Sequence, residues 1–287
     1  IRVTDNGAGI PSDQIELALK RHATSKIDSE EDLAYIQTMG FRGEALPSIA
    51  SISKFKIASK PKDAAGGSEV STNGFDSVEF SKRGMAVGTV VEVRSLFFNT
   101  PARRKFQKTP GTERRHINTV LTNIALAHPE VDFSLTSGGS PISHFPVTDD
   151  LKTRILQVFG PRVHENLVSG SGNRGNYSAA IYGVKPAMTR GNSRDIRTFV
   201  NKRFFRSKAV VSAVKEGYKR YIPRNKYPIC ILHLTAEAGS VDVNVHPGKT
   251  EVRFRDQSAA YSLIKRTISS MLESSKLTAG YETEPDR

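Results

Sequence analysis

The sequence predicts an α/β protein of the α+β kind, built in two parts, and three observations lead there. Helical and strand periodicities alternate through the first half. A Gly/Ser/Pro-rich stretch at 137–141, followed by 148–150, interrupts them. The second half then resumes with β-branched strand runs and two amphipathic helices. At 287 residues the chain can hold one large or two ordinary domains with a substantial core. The expected division is 1–147, then 148–275, then the start of a linker at 276–287.

In chain order, a short apolar strand runs into Asp5, with Gly7 and Gly9 after it. Ser12 is placed to cap a helix carrying Ile15, Ala18 and Leu19 on one face. Residues 44–51 read as a helix that tolerates Pro47 in its first turn. Strands are expected at 54–59, 77–80 and 88–96. Helix 112–127 sets Ile117, Val120, Leu121 and Ile124 at core-facing spacing, and 133–136 closes the first half as a strand. Beyond the boundary, strands fall near 177–184, 196–205, 228–236 and 241–245. Helix 207–221 presents Val210, Val211, Val214, Tyr218 and Tyr221 to the core, and helix 258–272 presents Tyr261, Ile264, Ile268 and Met271. Segments 170–176 and 189–193 read as loops.

A composition of 37% hydrophobic and 25% charged residues is that of a globular protein. No apolar run approaches the roughly 18 residues that span a bilayer, and no signal peptide is visible, so no membrane partner is expected. The single cysteine, Cys230, sits in an apolar run and reads as a buried core residue, which suits a reducing compartment. The seven histidines show no metal-ligand spacing, so no protein metal site is expected.

Net charge is +13 and is unevenly placed: residues 1–150 hold 18 Lys+Arg against 18 Asp+Glu, whereas 151–287 hold 24 against 11. The densest part, 185–226, has 13 basic residues against Asp195 and Glu216, which points to a polyanion partner over a merely solvated surface.

Five short motifs carry the chemistry. Asp5 at a strand end can accept a hydrogen bond from an exocyclic amine, and Gly7 and Gly9 let backbone pass close to a flat ligand; a plain tight turn has the same pattern. The run Arg21-His22-Ala23-Thr24-Ser25-Lys26 offers hydroxyls and a lysine to phosphate, or is a basic helix end. Gly40-Phe41-Arg42-Gly43-Glu44-Ala45-Leu46 is a glycine-bracketed turn opening a helix, suited to phosphate or to structure alone. Gly88-Thr89 begins a strand from which a hydroxyl can support the Asp5 carboxylate, directly or through water. Asn244-Val245-His246-Pro247-Gly248-Lys249 can aim a lysine at a phosphate.

These motifs, with Phe97-Phe98-Asn99-Thr100-Pro101-Ala102-Arg103-Arg104-Lys105-Phe106 and Phe199-Val200-Asn201-Lys202-Arg203, closely resemble the N-terminal region of the MutL family of DNA mismatch-repair proteins. The resemblance covers essentially the whole chain in family order. It implies a GHKL (Bergerat-type) ATPase α/β sandwich followed by a domain similar to ribosomal protein S5. ATP and Mg²⁺ are the implied cofactors. Asp5 would then bind the adenine amine, with Gly7, Gly9, Gly88 and Thr89 shaping and supporting that site. Thr24, Ser25 and Lys26 would belong to a lid, and Arg42, Gly43 and Glu44 to the phosphate turn. Lys249 would reach the γ-phosphate from the second domain as the catalytic lysine; Gly248 stands where the family commonly has Ala, Ser or Thr.

The resemblance further implies ATP-driven dimerisation with a MutL-type partner and non-specific binding of DNA phosphates, here by Lys202, Arg203, Arg206, Lys208, Lys219, Arg220 and Arg224. Arg103, Arg104 and Lys105 form a second basic cluster. A MutS-type mismatch-recognition protein and a downstream helicase or endonuclease are the other implied partners. The implied setting is the bacterial cytoplasm at the nucleoid, or the nucleus in a eukaryote. In the family, a helix ahead of the Asp5 motif supplies a glutamate that activates water and an asparagine that holds Mg²⁺. The expectation is that no Glu-x-x-x-Asn segment here replaces it, Glu16 and Glu44 lying in other motifs, so that this polypeptide hydrolyses ATP weakly while its parent is an ATPase. Two other readings stand beside this one: the ATPase and transducer region of a type II topoisomerase, and a DNA-binding scaffold independent of ATP.

Overall fold

A computed structural model of the chain describes residues 1–20, 43–242 and 252–275. Thr24, Ser25, Lys26, Arg42, Lys249, the predicted strand end at 243–245 and the linker 276–287 lie outside the described residues. Contacts divide the chain into two compact units, Ile1–Thr109 and Pro110–Arg287.

The first unit contains β1 (Arg2–Asp5), α1 (Ala45–Ala50), β2 (Lys54–Lys60), β3 (Gly67–Asn73), β4 (Val78–Arg83), β5 (Gly88–Arg94) and the single turn α2 (Pro101–Arg104). Its strands form one antiparallel sheet in the order β1-β5-β2-β3-β4. Alternation along β2 sends Phe55 and Ile57 inward, where they pack with Val70, Ala50, Ile15 and Leu19. The helix expected behind Ser12 is only a 3-10 turn at Leu17–Leu19, closed by bonds from Leu19 N to Glu16 O and Lys20 N to Leu17 O. It still buries the predicted Ile15 and Leu19. Strand β3 is mostly polar and escaped the pattern; Val70 anchors it and neighbours on both sides complete its ladder.

The second unit opens with α3 (Pro110–Ala127) and the hairpin of β6 (Phe133–Ser137) and β7 (Ser140–Phe145). The stretch read as a domain boundary is this hairpin's turn, with Gly138 and Gly139 at φ 58° and 80°. Helices α4 (Leu151–Phe159) and α5 (Pro161–Glu165) follow, α4 being capped by Asp150, which accepts from Lys152 N at 3.1 Å and Thr153 N at 3.0 Å. Next come β8 (Leu167–Arg174), β9 (Tyr177–Val184), β10 (Thr189–Arg190), β11 (Ile196–Val200), β12 (Arg203–Phe205), α6 (Lys208–Tyr218), β13 (Tyr227–Pro228), β14 (Cys230–Ala236), β15 (Val241–Asp242), β16 (Arg253–Phe254) and α7 (Gln257–Ser274). Most of the loop expected at 170–176 is therefore strand, and 189–193 holds the short β10.

The main sheet here runs β12-β11-β14-β9-β8, with β11 and β14 parallel and the other pairs antiparallel. Strand alternation serves two cores. Ile181, Leu232 and Leu234 meet the predicted faces of α6 and α7, whose caps are Ser207 and Asp256. Phe199, Ile229 and Ile231 face Leu126, Ala127, Ile155 and Val163 from α3, α4 and α5. On α3 the inward face differs from the one expected. Asn123, Leu126 and Ala127 are buried, while Ile117 and Val120 stay exposed, because the helix meets this core only through its last turns. Tyr218, Tyr221 and Cys230 are core residues, as read from the sequence.

Candidate functional site

Asp5 ends β1, an edge strand, and its register partner on β5 is Thr89. Thr89 in turn lies opposite Ser59 on β2, so the three side chains share one face in a row across three strands. The row is wired by hydrogen bonds. Asp5 Oδ1 accepts from Gly7 N at 2.9 Å. Ser59 Oγ meets Thr89 Oγ1 at 2.9 Å, donates to Gly88 O at 3.0 Å and accepts from Ile10 N at 2.7 Å. Of the two routes by which Thr89 can support Asp5, the direct one is not used: its hydroxyl turns to Ser59. Among the described residues, Asp5 Oδ2 has no hydrogen-bond partner, and the carboxylate is exposed.

Glycines allow this close approach. A Cβ on Gly88, at φ 125°, would overlap the carbonyl oxygen of Asp5. One on Gly9, at φ 76°, would overlap the carbonyl oxygen of Lys60. A Cβ on Gly7 would stand 3.0 Å from Asp5 Oδ1. Side chains at 9 and 88 would push the loop off the strand ends and close the space beside the carboxylate.

Ser59 is the member of this row that the motifs missed. Its signal was present: along β2, Phe55, Ile57 and Ser59 share the inward phase, and a serine there must find polar partners.

Gly43 (φ 60°) and Glu44 precede α1. That helix has only six residues, so its dipole adds little, and attraction for phosphate must come from individual N–H groups. The Glu-x-x-x-Asn spacing occurs within the chain at Glu69 and Asn73. It lies on β3, where residues four apart are separated by about 13 Å, and it does not bring carboxylate and amide together. Glu69 is bonded to Lys56 at 3.0 Å and to Arg83. Burial raises its pKa, but those two cations outweigh burial and hold it below the usual carboxylate range. Among the described residues, no three His, Cys, Asp or Glu side chains converge as a metal site.

The basic residues of the second unit fall into two groups. Asn201 and Lys202 form the β11–β12 turn at φ 46° and 63°, and Arg203, Arg206 and Lys208 follow along β12 into α6. Lys219 and Arg220 lie past the far end of α6, about 16 Å away along its axis. The members differ in availability. Lys202 Nζ donates to Glu130 at 2.8 Å, and Lys219 pairs with Glu216 at 3.6 Å. Burial lowers the Arg203 pKa, so that guanidinium is costlier to use. Arg206 is exposed, with its guanidinium 5.8 Å from the Phe204 ring centre; Lys208 and Arg220 are exposed and carry no ion pair among the described residues. Lys202 also borders His233, whose ring stacks on Phe199 with centroids 4.6 Å apart.

No helix among the described residues is long and apolar enough to cross a membrane. Residues 155–273 match the family model described as the C-terminal domain of DNA mismatch repair protein. The chain is 40% identical over 275 residues to the DNA mismatch repair protein MutL of Geotalea daltonii, covering 96% of this chain and 46% of that protein. It is 41% identical over 269 residues to MutL of Rhizobium etli, covering 93% and 44%. It thus spans a little under half the length of these curated relatives.

Among solved structures, the N-terminal domain of a DNA repair protein superposes with a TM-score of 0.78 at 24% identity, over 96% of this chain and 85% of that one. The Aquifex aeolicus MutL ATPase domain complexed with ADP gives 0.64 at 25% identity, over 92% and 83%. With the glycine-cradled Asp5 motif, an ATPase-domain fold and matching sequence over nearly all its length, the chain belongs to the MutL family of DNA mismatch repair proteins.

Proposed function

We propose that these residues form an ATP-binding, ATP-driven dimerising switch of DNA mismatch repair that also holds DNA through its phosphates. The observation that carries the nucleotide half is the Asp5–Thr89–Ser59 row, in which one carboxylate oxygen is fixed by Gly7 N and the other is open to a donor. Adenine presents such a donor in its exocyclic amine. In this reading Asp5 accepts from that amine, and Gly7, Gly9 and Gly88 leave room for the ring. Thr89 and Ser59 hold the strand ends in place. Gly43, Glu44 and Arg42 lie at the phosphate turn, Thr24, Ser25 and Lys26 serve the lid, and Lys249 neutralises charge on the γ-phosphate as the terminal bond breaks. Mg²⁺ is proposed as the ion carried by the triphosphate.

The domain scheme belongs to the same proposal: a GHKL ATPase domain over 1–147, an S5-like transducer over 148–275 and a linker start at 276–287. Arg206, Lys208 and Arg220 carry the DNA contacts most directly, with Lys202, Arg203 and Lys219 beside them. Contacts of this kind weaken steeply with salt and ignore sequence. A second MutL-type chain, a MutS-type protein and a helicase or endonuclease are the proposed partners, in a bacterial cytoplasmic setting at the nucleoid.

The test is sizing chromatography of the protein with and without a non-hydrolysable ATP analogue. A shift to dimer mass with the ATP analogue and none with the GTP analogue is expected. An elution volume indifferent to nucleotide, with DNA binding intact, would leave only the scaffold reading.

A further inference from the structure

The β11–β12 turn displays a lysine where the backbone favours glycine. Val200 pairs with Arg203, which leaves Asn201 and Lys202 as a two-residue connection with φ 46° and 63°. Positive φ at both central residues is the I′ arrangement, whose second position is ordinarily glycine. Lys202 is thus held against its own backbone preference, and outliers of this kind mark positions kept for their side chain. The turn is also pinned. Asn201 N donates to Leu234 O at 2.9 Å, Asn201 Nδ2 to Ala236 O at 3.0 Å, and Ala236 N to Asn201 Oδ1 at 2.9 Å.

The side chain so displayed is already engaged. Lys202 Nζ donates to Glu130 Oε1 at 2.8 Å, and His128 Nδ1 meets the same oxygen at 3.1 Å. Glu130 is mounted as firmly as its partner. The carbonyls on either side of it, Pro129 O and Val131 O, accept from Nη2 of the buried Arg154 at 2.8 and 2.7 Å. Exposed ion pairs are weak in part because two mobile side chains must be ordered to form them. Here both backbones are fixed, so less order is lost on pairing. Burial opposes ionisation of Glu130, but the bonds from Lys202, its own backbone and His128 take its pKa to about 2, so it is a carboxylate at any pH where duplex DNA is intact. Both side chains stay about half exposed, which lets a phosphate reach the ammonium.

We propose that Glu130 gates DNA binding: its carboxylate occupies Lys202 in place of a DNA phosphate, and the lysine joins the contacts of Arg206 and Lys208 only when a phosphate displaces it. The inference rests on the reading of this basic strip as a DNA contact. Displacement exchanges one anion for another on the same ammonium. The released carboxylate gathers a cation, which offsets the one that DNA gives up, so the paired lysine adds little affinity and little salt dependence. Neutralising Glu130 removes that offset.

The experiment follows the fluorescence anisotropy of a labelled duplex of mixed sequence across a salt series, with the protein expressed from its natural gene as wild type, Glu130→Gln, Lys202→Ala and the double variant. Glu130→Gln should tighten binding by roughly two- to fivefold, the worth of an exposed ion pair, and steepen the slope of log K against log salt by about one. A gain in affinity is a readout that misfolding does not produce. Lys202→Ala alone should change affinity by less than about twofold, and in the double variant the gain from Glu130→Gln should vanish. A negative charge acting only at a distance would instead give the same gain in both backgrounds. That result, or wild-type affinity in Glu130→Gln, overturns the inference alone while Arg206→Ala still weakens binding. Duplex binding that is insensitive to salt, or indifferent to Arg206→Ala and Lys208→Ala together, overturns the DNA reading and the inference with it.

Discussion

Asparagine at position 5 is the sharpest probe of base recognition, because it keeps the volume of the aspartate and leaves the β1–β5 pairing intact. One oxygen of Asp5 already receives Gly7 N at 2.9 Å, and the other is open. An asparagine has one oxygen and one NH₂. With the oxygen toward Gly7, the NH₂ faces the adenine amine, donor against donor. With the amide flipped, Gly7 N faces the NH₂ instead. Either orientation loses one bond to a charged acceptor, a contribution of about 1.5–3 kcal/mol, which converts to roughly 10- to 150-fold in affinity. The carboxylate is exposed, so the low end applies: ATP binding should weaken about tenfold. Calorimetric titration with non-hydrolysable ATP and with tripolyphosphate checks this, and a thermal melt guards against unfolding. Binding of the ATP analogue within twofold of wild type would refute the assignment, as would an equal loss for tripolyphosphate, which has no base.

Three further outcomes are expected. Ser59→Ala removes a hydroxyl with three partners in a residue 1% exposed and should cost about 1–3 kcal/mol, read by urea unfolding; no change would show that the row is not held through Ser59. Arg206→Ala and Lys208→Ala should each lower the slope of log K against log salt for duplex DNA by about one, while Lys202→Ala, already paired with Glu130, should change it less; equal slopes for all three would refute that ranking. Burial, then Lys202 and His128, push the His233 pKa down to about 4 from 6.5, whereas Glu130, hydrogen-bonded to Lys202 and His128 against the opposing effect of burial, falls to about 2. A depressed histidine pKa means the unfolded chain takes up the proton first. The stability at stake is thus present above pH 6.5 and lost as pH falls toward 4, by an order of 3 kcal/mol. His233→Phe should flatten the unfolding free energy across that window, and an unaltered slope would contradict it.

How far the sequence was legible depends on what each residue needs for its meaning. The faces of α6 and α7 were readable because Val210, Val214, Tyr218, Ile264 and Ile268 recur at helical spacing and bury where that spacing points. The Asp5 motif was readable because glycines advertise close approach. Ser59 was not, since a serine acquires a role only when register sets it opposite Thr89. Strand β3 is nearly all polar and depends on its two neighbours, a dependence that no local pattern encodes. On α3 the periodicity was correct but the buried arc was misjudged, because only the last turns reach the core and Asn123 is buried while Val120 is not. The turn at Gly138–Gly139 belongs to the β6–β7 hairpin, which local composition does not reveal because hairpin turns and linkers share their amino acids.

Gly88 has a consequence beyond making space. The carbonyl of Asp5 rests where a side chain at 88 would stand, so this pair acts as a detent for an edge strand held on one side only. A slip of β1 by one residue would turn Asp5 to the opposite face of the sheet and offer Thr4 in its place. In the proposed reading the choice of base would thereby be tied to a folding decision, because Asp5 reaches its face beside Thr89 only in the one alignment that this notch selects.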